Sequence, residues 1–244
     1  LGYIAYAKGD ARKAVVHEQH ALVLAEAHGD TRLAAQVRAT LGQALAAAAD
    51  YEQALPMLEQ AVDLKRRNMQ SGSALAVGAA YTLATKGMLL GDRGDFEAAH
   101  ACLQQALSLV GGTGHQVESS VLGWNTTVLL WQGRWQDAID GAARSSHIAD
   151  QCRSHHLYAM HQSQTGYARW VLNRDPEALQ LLLDATAWVE ARHGRFFVSL
   201  NYGWLVDAMA ASGRTDEARR HAAQALRRAR ACDRIGEAMA CRAM

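Results

Sequence analysis

The densest group of side chains that could bind a metal lies between residues 152 and 161. It consists of Cys152, His155, His156 and His161. Cys152 and His156 are four residues apart, so on a helix both would point to the same side, which is the minimum geometry for two ligands of a zinc ion. A structural zinc site needs four ligands, and no further ligand follows at the spacing of HExxH or of paired CxxC motifs. We therefore expect ordinary histidines here, with no bound metal and no cofactor.

Motifs for covalent or phosphoryl-transfer chemistry are missing from the sequence. The glycine-rich stretch at 111–114, GGTG, is not followed by the lysine of a phosphate-binding loop, and no GxSxG nucleophile motif occurs. Acidic residues such as Glu97 and Asp137 lie at expected helix starts, where the helix dipole explains them. The sequence thus predicts a protein that is not an enzyme.

A row of arginines near the C-terminal end could contact phosphates. Arg220, Arg227 and Arg234 recur every seven residues and would share one stripe of a helix. Nucleic-acid binding usually needs several such rows with aromatic side chains between them, and the whole chain carries a formal charge of only +1. A solvated convex face is the simpler interpretation, so we do not expect a nucleic-acid partner.

Length and composition favour a folded, helical protein. The chain has 244 residues, half of them hydrophobic, and only two prolines, which argues against a turn-rich β-sandwich and against a disordered chain. No apolar run reaches the roughly 20 residues that span a bilayer. The four cysteines show neither close pairing nor CxxC spacing, which is typical of a reducing compartment, so we expect a cytoplasmic protein without membrane contact. Because the sequence starts with Leu1 and stops at Met244 inside an expected helix, we expect a fragment of a longer protein.

The elements that would position these residues come from an internal repeat. Six segments combine a turn, a helix start and an anchoring alanine, with intervals of 40, 45, 39, 40 and 40 residues between Ala14, Ala54, Ala99, Ala138, Ala178 and Ala218. The position twelve residues before each anchor is occupied by Gly2, Gly42, Gly87, Thr126, Gly166 and Val206. A glycine that recurs inside a helix indicates a close helix crossing. Each unit is therefore predicted to be two antiparallel helices, joined by a turn with a left-handed glycine and an aspartate cap.

These residues resemble the tetratricopeptide repeat. The match consists of the Leu-Gly pair of the first helix, at Leu1-Gly2 and Leu41-Gly42, the small anchor twelve residues later and a second small residue seven positions further on. The period is near 40 rather than about 34, which is similar to the long repeats of bacterial multidomain signalling regulators. The resemblance implies an all-α fold, an α-solenoid of about six antiparallel helix-turn-helix repeats that form a right-handed superhelix.

The whole chain, residues 1–244, is then expected to be a single repeat domain. Such units cannot bury their faces alone, so stacking creates one continuous core. The units would lie at approximately 1–29, 30–70, 71–111, 112–150, 151–193 and 194–233, with 234–244 starting a cap or a further helix.

The resemblance also implies that the first helix of each pair lines a concave groove. The candidate partner-binding residues on that face are Tyr81, Met88, Asp92, Thr127, Trp131, Met160, Tyr167, Trp170 and Asp207. Trp, Tyr and Met are enriched in interface cores, and the Lys, Arg and Asn set of repeats that grip carboxylate-ended tails is absent. A partner helix or an apolar extended peptide is therefore favoured. The alternative is that a tightly coiled superhelix buries several of these rings in its own core.

Two functions remain open at this point. One is a non-catalytic scaffold or sensor of a bacterial regulatory or signalling protein, which binds a protein or peptide partner in the groove. The other is a homo-oligomerisation module of a multidomain signalling enzyme or transcription regulator, in which the last unit or the fourth and fifth units pack against a second copy.

Overall fold

A computed structural model of the chain describes residues 1–67, 74–192, 197–231 and 233–242. These residues form α1 (Gly2–Ala7), α2 (Ala11–Ala27), α3 (Thr31–Ala47), α4 (Tyr51–Arg67), α5 (Ala74–Asp92), α6 (Phe96–Val110), α7 (Gln116–Trp131), α8 (Trp135–Gln151), α9 (His155–Asn173), α10 (Pro176–Ala191), α11 (Val198–Ala211), α12 (Thr215–Ala231) and α13 (Glu237–Arg242). The described residues contain no strand, and none of their helices is both long and apolar enough to cross a membrane. The expected unit boundaries near residues 70 and 193 lie outside the described residues.

Successive helices pack as pairs, from α1 with α2 to α11 with α12. Each connection within a pair is short, so the two helices run antiparallel. The first helix of a pair also packs against the first helix of the next, as α5 does against α7 and α7 against α9. This serial packing confirms the predicted α-solenoid, and α13 continues it by packing against α11 and α12.

The turn within each pair is set by a left-handed residue followed by a helix cap. Glycine supplies this conformation in four turns, as predicted, at Gly9, Gly94, Gly133 and Gly213. The second and fifth pairs use Ala49 and Arg174 with φ values of 61° and 55°. The next residue often caps the second helix: the carboxylates of Asp10 and Asp95 accept hydrogen bonds from amides three residues further on. These caps satisfy amides that would otherwise lack a partner at the helix start.

The two helices of a pair cross closely at residues sixteen positions apart, which confirms the predicted crossing. A Cβ atom placed on Gly42 would lie only 2.8 Å from the side chain of Leu58. On Gly166 it would lie 2.8 Å from the carbonyl oxygen of Ala178 and 2.9 Å from the amide nitrogen of Leu182. A side chain at Gly42 would have to displace Leu58, and one at Gly166 would force the two helices apart.

Pairs without the glycine have a smaller residue on the opposite helix. Leucines Leu58, Leu103 and Leu182 stand sixteen positions after Gly42, Gly87 and Gly166, whereas alanines Ala142 and Ala222 stand sixteen positions after Thr126 and Val206. All of these leucines and alanines are fully buried. In each of these five pairs the two positions hold one larger and one smaller side chain, which limits the change in summed volume while the residues differ.

A chain of polar side chains crosses the core between α7 and α9. The side-chain nitrogen of Gln164 donates to the carbonyl oxygen of Gly123 (2.8 Å) and to the hydroxyl of Thr127 (2.9 Å). Its oxygen therefore accepts from Nδ1 of His161 at 3.0 Å. Nε2 of His161 lies 3.0 Å from the hydroxyl of Ser119, which donates to the carbonyl oxygen of Ser145 at 2.9 Å. His161 is fully buried. Burial lowers the pKa of His161 to about 4 because the charged ring would lose its hydration.

We expect the two residues of one crossing to be energetically coupled. Leu58→Ala should lower the free energy of unfolding by about 2–5 kcal/mol because it leaves a cavity, and Gly42→Val by about 1–3 kcal/mol or more because it overfills the crossing. The double variant recreates the Val206 and Ala222 arrangement of the sixth pair. It should therefore be more stable, by about 1 kcal/mol or more, than the sum of the single effects predicts. Urea denaturation of the four proteins measures this coupling.

The control for this cycle combines Gly42→Val with Leu103→Ala. The space at Gly42 is limited by Leu58, whereas Leu103 limits the space at Gly87 in the next pair. The two effects should therefore add to within about 0.5 kcal/mol. Equal coupling in both combinations would contradict the volume exchange.

The neutral state of His161 should make the stability depend on pH. Its folded pKa of about 4 lies below the ordinary 6.5, so its contribution is complete above about pH 6.5 and falls between pH 6.5 and 4, by about 3 kcal/mol in total. Asp233 acts in the opposite direction, since burial raises its pKa to about 6 and protonation then stabilises the folded state. The variant His161→Gln removes the pH-dependent contribution of His161 and leaves that of Asp233 in place. The stability difference between wild type and His161→Gln should shrink as the pH falls through this range; a constant difference would show that the buried ring is not neutral.

Candidate functional site

The nine residues that were predicted to line the groove differ in how deeply they are buried. The structure buries Met88, Thr127, Met160, Tyr167 and Trp170, leaves Tyr81, Trp131 and Asp207 half-buried, and exposes Asp92. The alternative expectation, that the coil buries part of its own inner face, therefore applies to five of them. Of the predicted set, Tyr81, Asp92, Trp131 and Asp207 are the residues that remain at least partly exposed.

Aromatic contacts between successive units fill the inner face. Tyr167 on α9 stacks on Trp204 of α11 with ring centroids 6.0 Å apart, and it meets the ring of Trp135 edge-on at 6.1 Å. Trp204 was missed by the sequence reasoning. It stands fourteen residues before Ala218, the register that also holds Trp124 in the fourth unit. The recurrence of tryptophan at this repeat position could have predicted the contact, because large rings at one repeat position indicate a shared packing role.

Two tyrosine–aspartate pairs link neighbouring units along the inner face. The hydroxyl of Tyr51 donates to Asp92, and that of Tyr167 donates to Asp207 at 2.7 Å. Burial and the nearby carboxylate raise the pKa of both tyrosines above the ordinary value, so both remain donors. Partial desolvation also raises the pKa of Asp92, and the hydrogen bond from Tyr51 opposes this shift. The hydroxyls of Tyr51 and Tyr167 thus orient the carboxylates of Asp92 and Asp207 at the rim of the face.

The inner face is closed where the ends of the coil meet. The ring of Phe197 lies edge-on to Trp124 with centroids 4.4 Å apart, and the amide of Arg234 donates to the carbonyl oxygen of Ala47 at 2.9 Å. A cavity of about 10 Å³ remains at this junction, lined by Tyr6, Gly9, Ala11, Ala47, Phe197 and Asp233. This is room for about one water molecule. The junction is therefore packed and does not form an open groove.

The cysteine and histidine cluster at 152–161 does not converge on one point. The thiol of Cys152 donates to the carbonyl oxygen of Gly114, the ring of His155 lies against Trp188 at 6.5 Å, and His161 is in the core. Within the described ranges, no group of three His, Cys, Asp or Glu side chains could hold a metal ion.

The arginine stripe is shorter than predicted. Arg220 and Arg227 are exposed on α12, but this helix ends at Ala231, so the prediction that Arg234 continues the stripe was wrong. Arg234 instead donates to the carboxylate of Glu237 at 2.6 Å. The segment that follows lies against α11, where the buried carboxylate of Asp233 accepts a hydrogen bond from the amide of Ser199 at 3.3 Å.

Two parts of the chain match models of the tetratricopeptide repeat family, at residues 34–71 and 80–109. These segments cover most of the second and third helix pairs. Comparison with curated protein sequences gives no significant match.

Solved structures with similar folds extend the likeness to nearly the whole chain. The apo form of RapI superposes with a TM-score of 0.73 at 15% identity, over 94% of this chain and 81% of RapI. Aspartyl phosphate phosphatase F from Bacillus subtilis has a TM-score of 0.57 at 12% identity, over 85% of this chain and 54% of that protein. A putative kinesin light chain from Podosopora anserina with nearly identical TPR-like repeats has a TM-score of 0.55 at 16% identity, over 78% of this chain and 92% of that one. At these identities the likeness concerns the fold.

The family matches cover two helix pairs, and the same sixteen-residue crossing recurs in the pairs outside them. The similar solved structures are helical solenoids over the same span. Sequence, packing and fold agree: residues 34–71 and 80–109 are similar to tetratricopeptide repeats, and the chain folds as a solenoid of helix pairs.

Proposed function

We propose that this chain is a non-catalytic scaffold or sensor module that binds a protein or peptide on its concave face. We place it in a bacterial regulatory or signalling protein in the cytoplasm. The general role in protein interaction follows from the repeat family. The observation that carries the concave site is the half-buried ring of Trp131, which packs against Gly91 of α5, together with the exposed Asp92 and the half-buried Asp207.

The rim offers an apolar anchor next to a fixed negative charge. A Cβ atom on Gly91 would lie 3.5 Å from the ring of Trp131, so this ring packs against α5 at the residue before the exposed Asp92. Partly exposed tryptophans contribute strongly to interfaces because they bury a large area at a small entropic cost. The partner that fits is a helix or an extended segment that places an apolar side chain on Trp131 and an N–H donor or a cation near Asp92 or Asp207.

One structural neighbour is named as an aspartyl phosphate phosphatase, which raises the question of catalysis. The chain Ser119–His161–Gln164 has the residue types of a nucleophile and its base, but its polar atoms are paired inside the core and His161 is fully buried. A nucleophile has to reach its substrate. This burial supports a structural role for these three residues and a non-catalytic module.

Homo-oligomerisation remains the second candidate, and one observation favours it. Exposed large apolar side chains concentrate in the first units, at Leu1, Tyr3, Ile4, Val16, Val23, Leu24 and Leu33. At the register of Val16, two residues after the anchor, later units expose Asp140, Gln180 and Arg220. Clustered apolar surface is typical of interfaces. Self-association would therefore use the first two units, not the last units.

Light scattering during size-exclusion chromatography separates this candidate from the first. A dimer at micromolar concentration that becomes a monomer in Val16→Ser, Val23→Ser would support self-association. The matched control is Ala101→Ser, Ser108→Ala at the same register of the third unit, which should not change the mass. A monomer for every protein, over the whole concentration range, would remove the second candidate.

The concave site is tested with random peptides displayed on phage and selected against the immobilised wild-type chain. Trp131→Ala combined with Asp207→Asn should weaken the selected peptides about tenfold or more, because it removes the anchor and a charge from the rim. Fluorescence anisotropy with labelled synthetic peptides measures the dissociation constants. Asp140→Ala combined with Arg227→Ala, both exposed on second helices, is the control and should leave binding unchanged. Equal affinity of every peptide for wild type and the rim variant would contradict the concave site.

A further inference from the structure

The carboxylate of Glu118, in the first turn of α7, is enclosed by backbone amides of the connection between α6 and α7. Glu118 is only 2% exposed. Its Oε1 accepts a hydrogen bond from the amide of Gly112 at 2.8 Å, and its Oε2 accepts one from the amide of Gly114 at 2.9 Å. These lengths are typical of strong hydrogen bonds to a charged acceptor. Two amides of a single loop therefore bind both oxygens of one buried carboxylate.

The conformation of the GGTG loop, residues 111–114, directs these two amides to one point. The φ angles of Gly112 and Gly114 are 75° and 65°, in the left-handed region that favours glycine. Backbone segments with such residues turn their N–H groups to one side and form concavities that bind anions. The hydroxyl of Thr113, between the two glycines, donates to the carbonyl oxygen of Val110 at 2.6 Å. The loop is thus fixed to the end of α6 in the shape of an anion-binding site.

A shorter connection between units pairs its amides without a side chain. In the turn between α2 and α3, the amides of Gly29 and Asp30 donate to carbonyl oxygens of α2 at 3.0 Å each. In the longer connection between α6 and α7, the amides of Gly112 and Gly114 point instead to the carboxylate. Backbone amides need an acceptor. Glu118 therefore supplies to this loop the acceptor that the preceding helix supplies to the shorter turn.

The packing of the helices does not itself require a carboxylate at this position. Glu118 lies twenty residues before the anchor Ala138, and the same position holds uncharged residues in four other units: Ala34, Ala79, Tyr158 and Val198. Burial of a carboxylate costs free energy unless its oxygens are hydrogen-bonded. The two loop amides provide these hydrogen bonds, so the carboxylate and the loop stabilise each other.

We propose that the GGTG loop is a backbone binding site for a carboxylate ion and that the side chain of Glu118 is its internal occupant. In the wild type the site is filled and closed to other anions. Shortening the side chain in Glu118→Ala removes one methylene and the carboxylate, which together have the size and charge of an acetate ion. External acetate then binds to the amides of Gly112 and Gly114. This site is independent of any partner on the concave face.

The site is tested by urea denaturation of Glu118→Ala in about 0.1 M sodium acetate and in the same concentration of sodium chloride. Acetate should lower the unfolding equilibrium constant of this variant about fivefold or more, because it binds only the folded loop. The wild type in the same two salts measures the general effect of acetate on stability, and its constant should change little. Glu97→Ala, which removes an exposed carboxylate from the first turn of α6, is the matched control and should respond as the wild type does. Acetamide, which has the shape of acetate without its charge, should not stabilise Glu118→Ala.

Nuclear magnetic resonance locates the bound ion. In Glu118→Ala, the amide signals of Gly112 and Gly114 should shift with one common, saturable dependence on acetate concentration, whereas in the wild type they should stay in place. Propionate has one carbon more than the space that the substitution opens, so it should bind more weakly than acetate.

Equal stability of Glu118→Ala in acetate and in chloride, relative to the wild type, would overturn the anion site, and so would equal stabilisation by acetate and acetamide. If Glu118→Ala does not fold in either salt, Glu118→Gln takes its place, since it keeps the shape of the side chain and one acceptor oxygen. One of the two glycine amides then loses its acceptor, and its hydrogen exchange should become about tenfold faster or more. Unchanged exchange at both Gly112 and Gly114 would show that the loop does not need the carboxylate.

Discussion

Each helix pair depends on a steric constraint at its crossing, where two residues sixteen positions apart share a space that holds one large side chain. Where the first helix has Gly42, Gly87 or Gly166, the second helix places a leucine into the crossing. Where the first helix has Thr126 or Val206, the second helix has an alanine. The constraint is on summed volume and not on residue type. A hairpin built in this way still exposes apolar surface, which only the next hairpin can cover, so the solenoid follows from the crossing.

The close crossings also bear on the character of the inner face. Thin hairpins allow the coil to wind tightly, and the rings of Tyr167 and Trp204 then stack between units instead of facing an open groove. Tyrosine hydroxyls inside the coil hold Asp92 and Asp207 at its rim. The same packing between units therefore places the aromatic rings in the interior and the carboxylates at the rim. Tight winding further brings the last unit against the first two, through Phe197 and Arg234.

The sequence predicted the local elements well because each depends on neighbours in the chain. The anchoring alanines, the turn glycines and the capping aspartates are short-range signals, and the helix pairs appear where these signals placed them. Left-handed Ala49 and Arg174 carry no such signal, since packing imposes a conformation that these residues do not prefer. The curvature of the coil is a sum of small rotations between units, which a single repeat does not encode. For this reason Tyr167 and Trp170 were assigned to a groove but lie in the core, and the docking of Asp233 on α11, which ends the arginine stripe, was not foreseen.

The central claim is that the two helices of a pair touch at their crossing, which joins a glycine to a leucine in the second, third and fifth pairs. Nuclear Overhauser spectroscopy on chain labelled at glycine α-carbons and leucine methyl groups measures these contacts in solution. The account predicts cross-peaks between Gly42 and Leu58, Gly87 and Leu103, and Gly166 and Leu182. Leucine methyl groups that show no cross-peak to these glycines in the folded protein would contradict it.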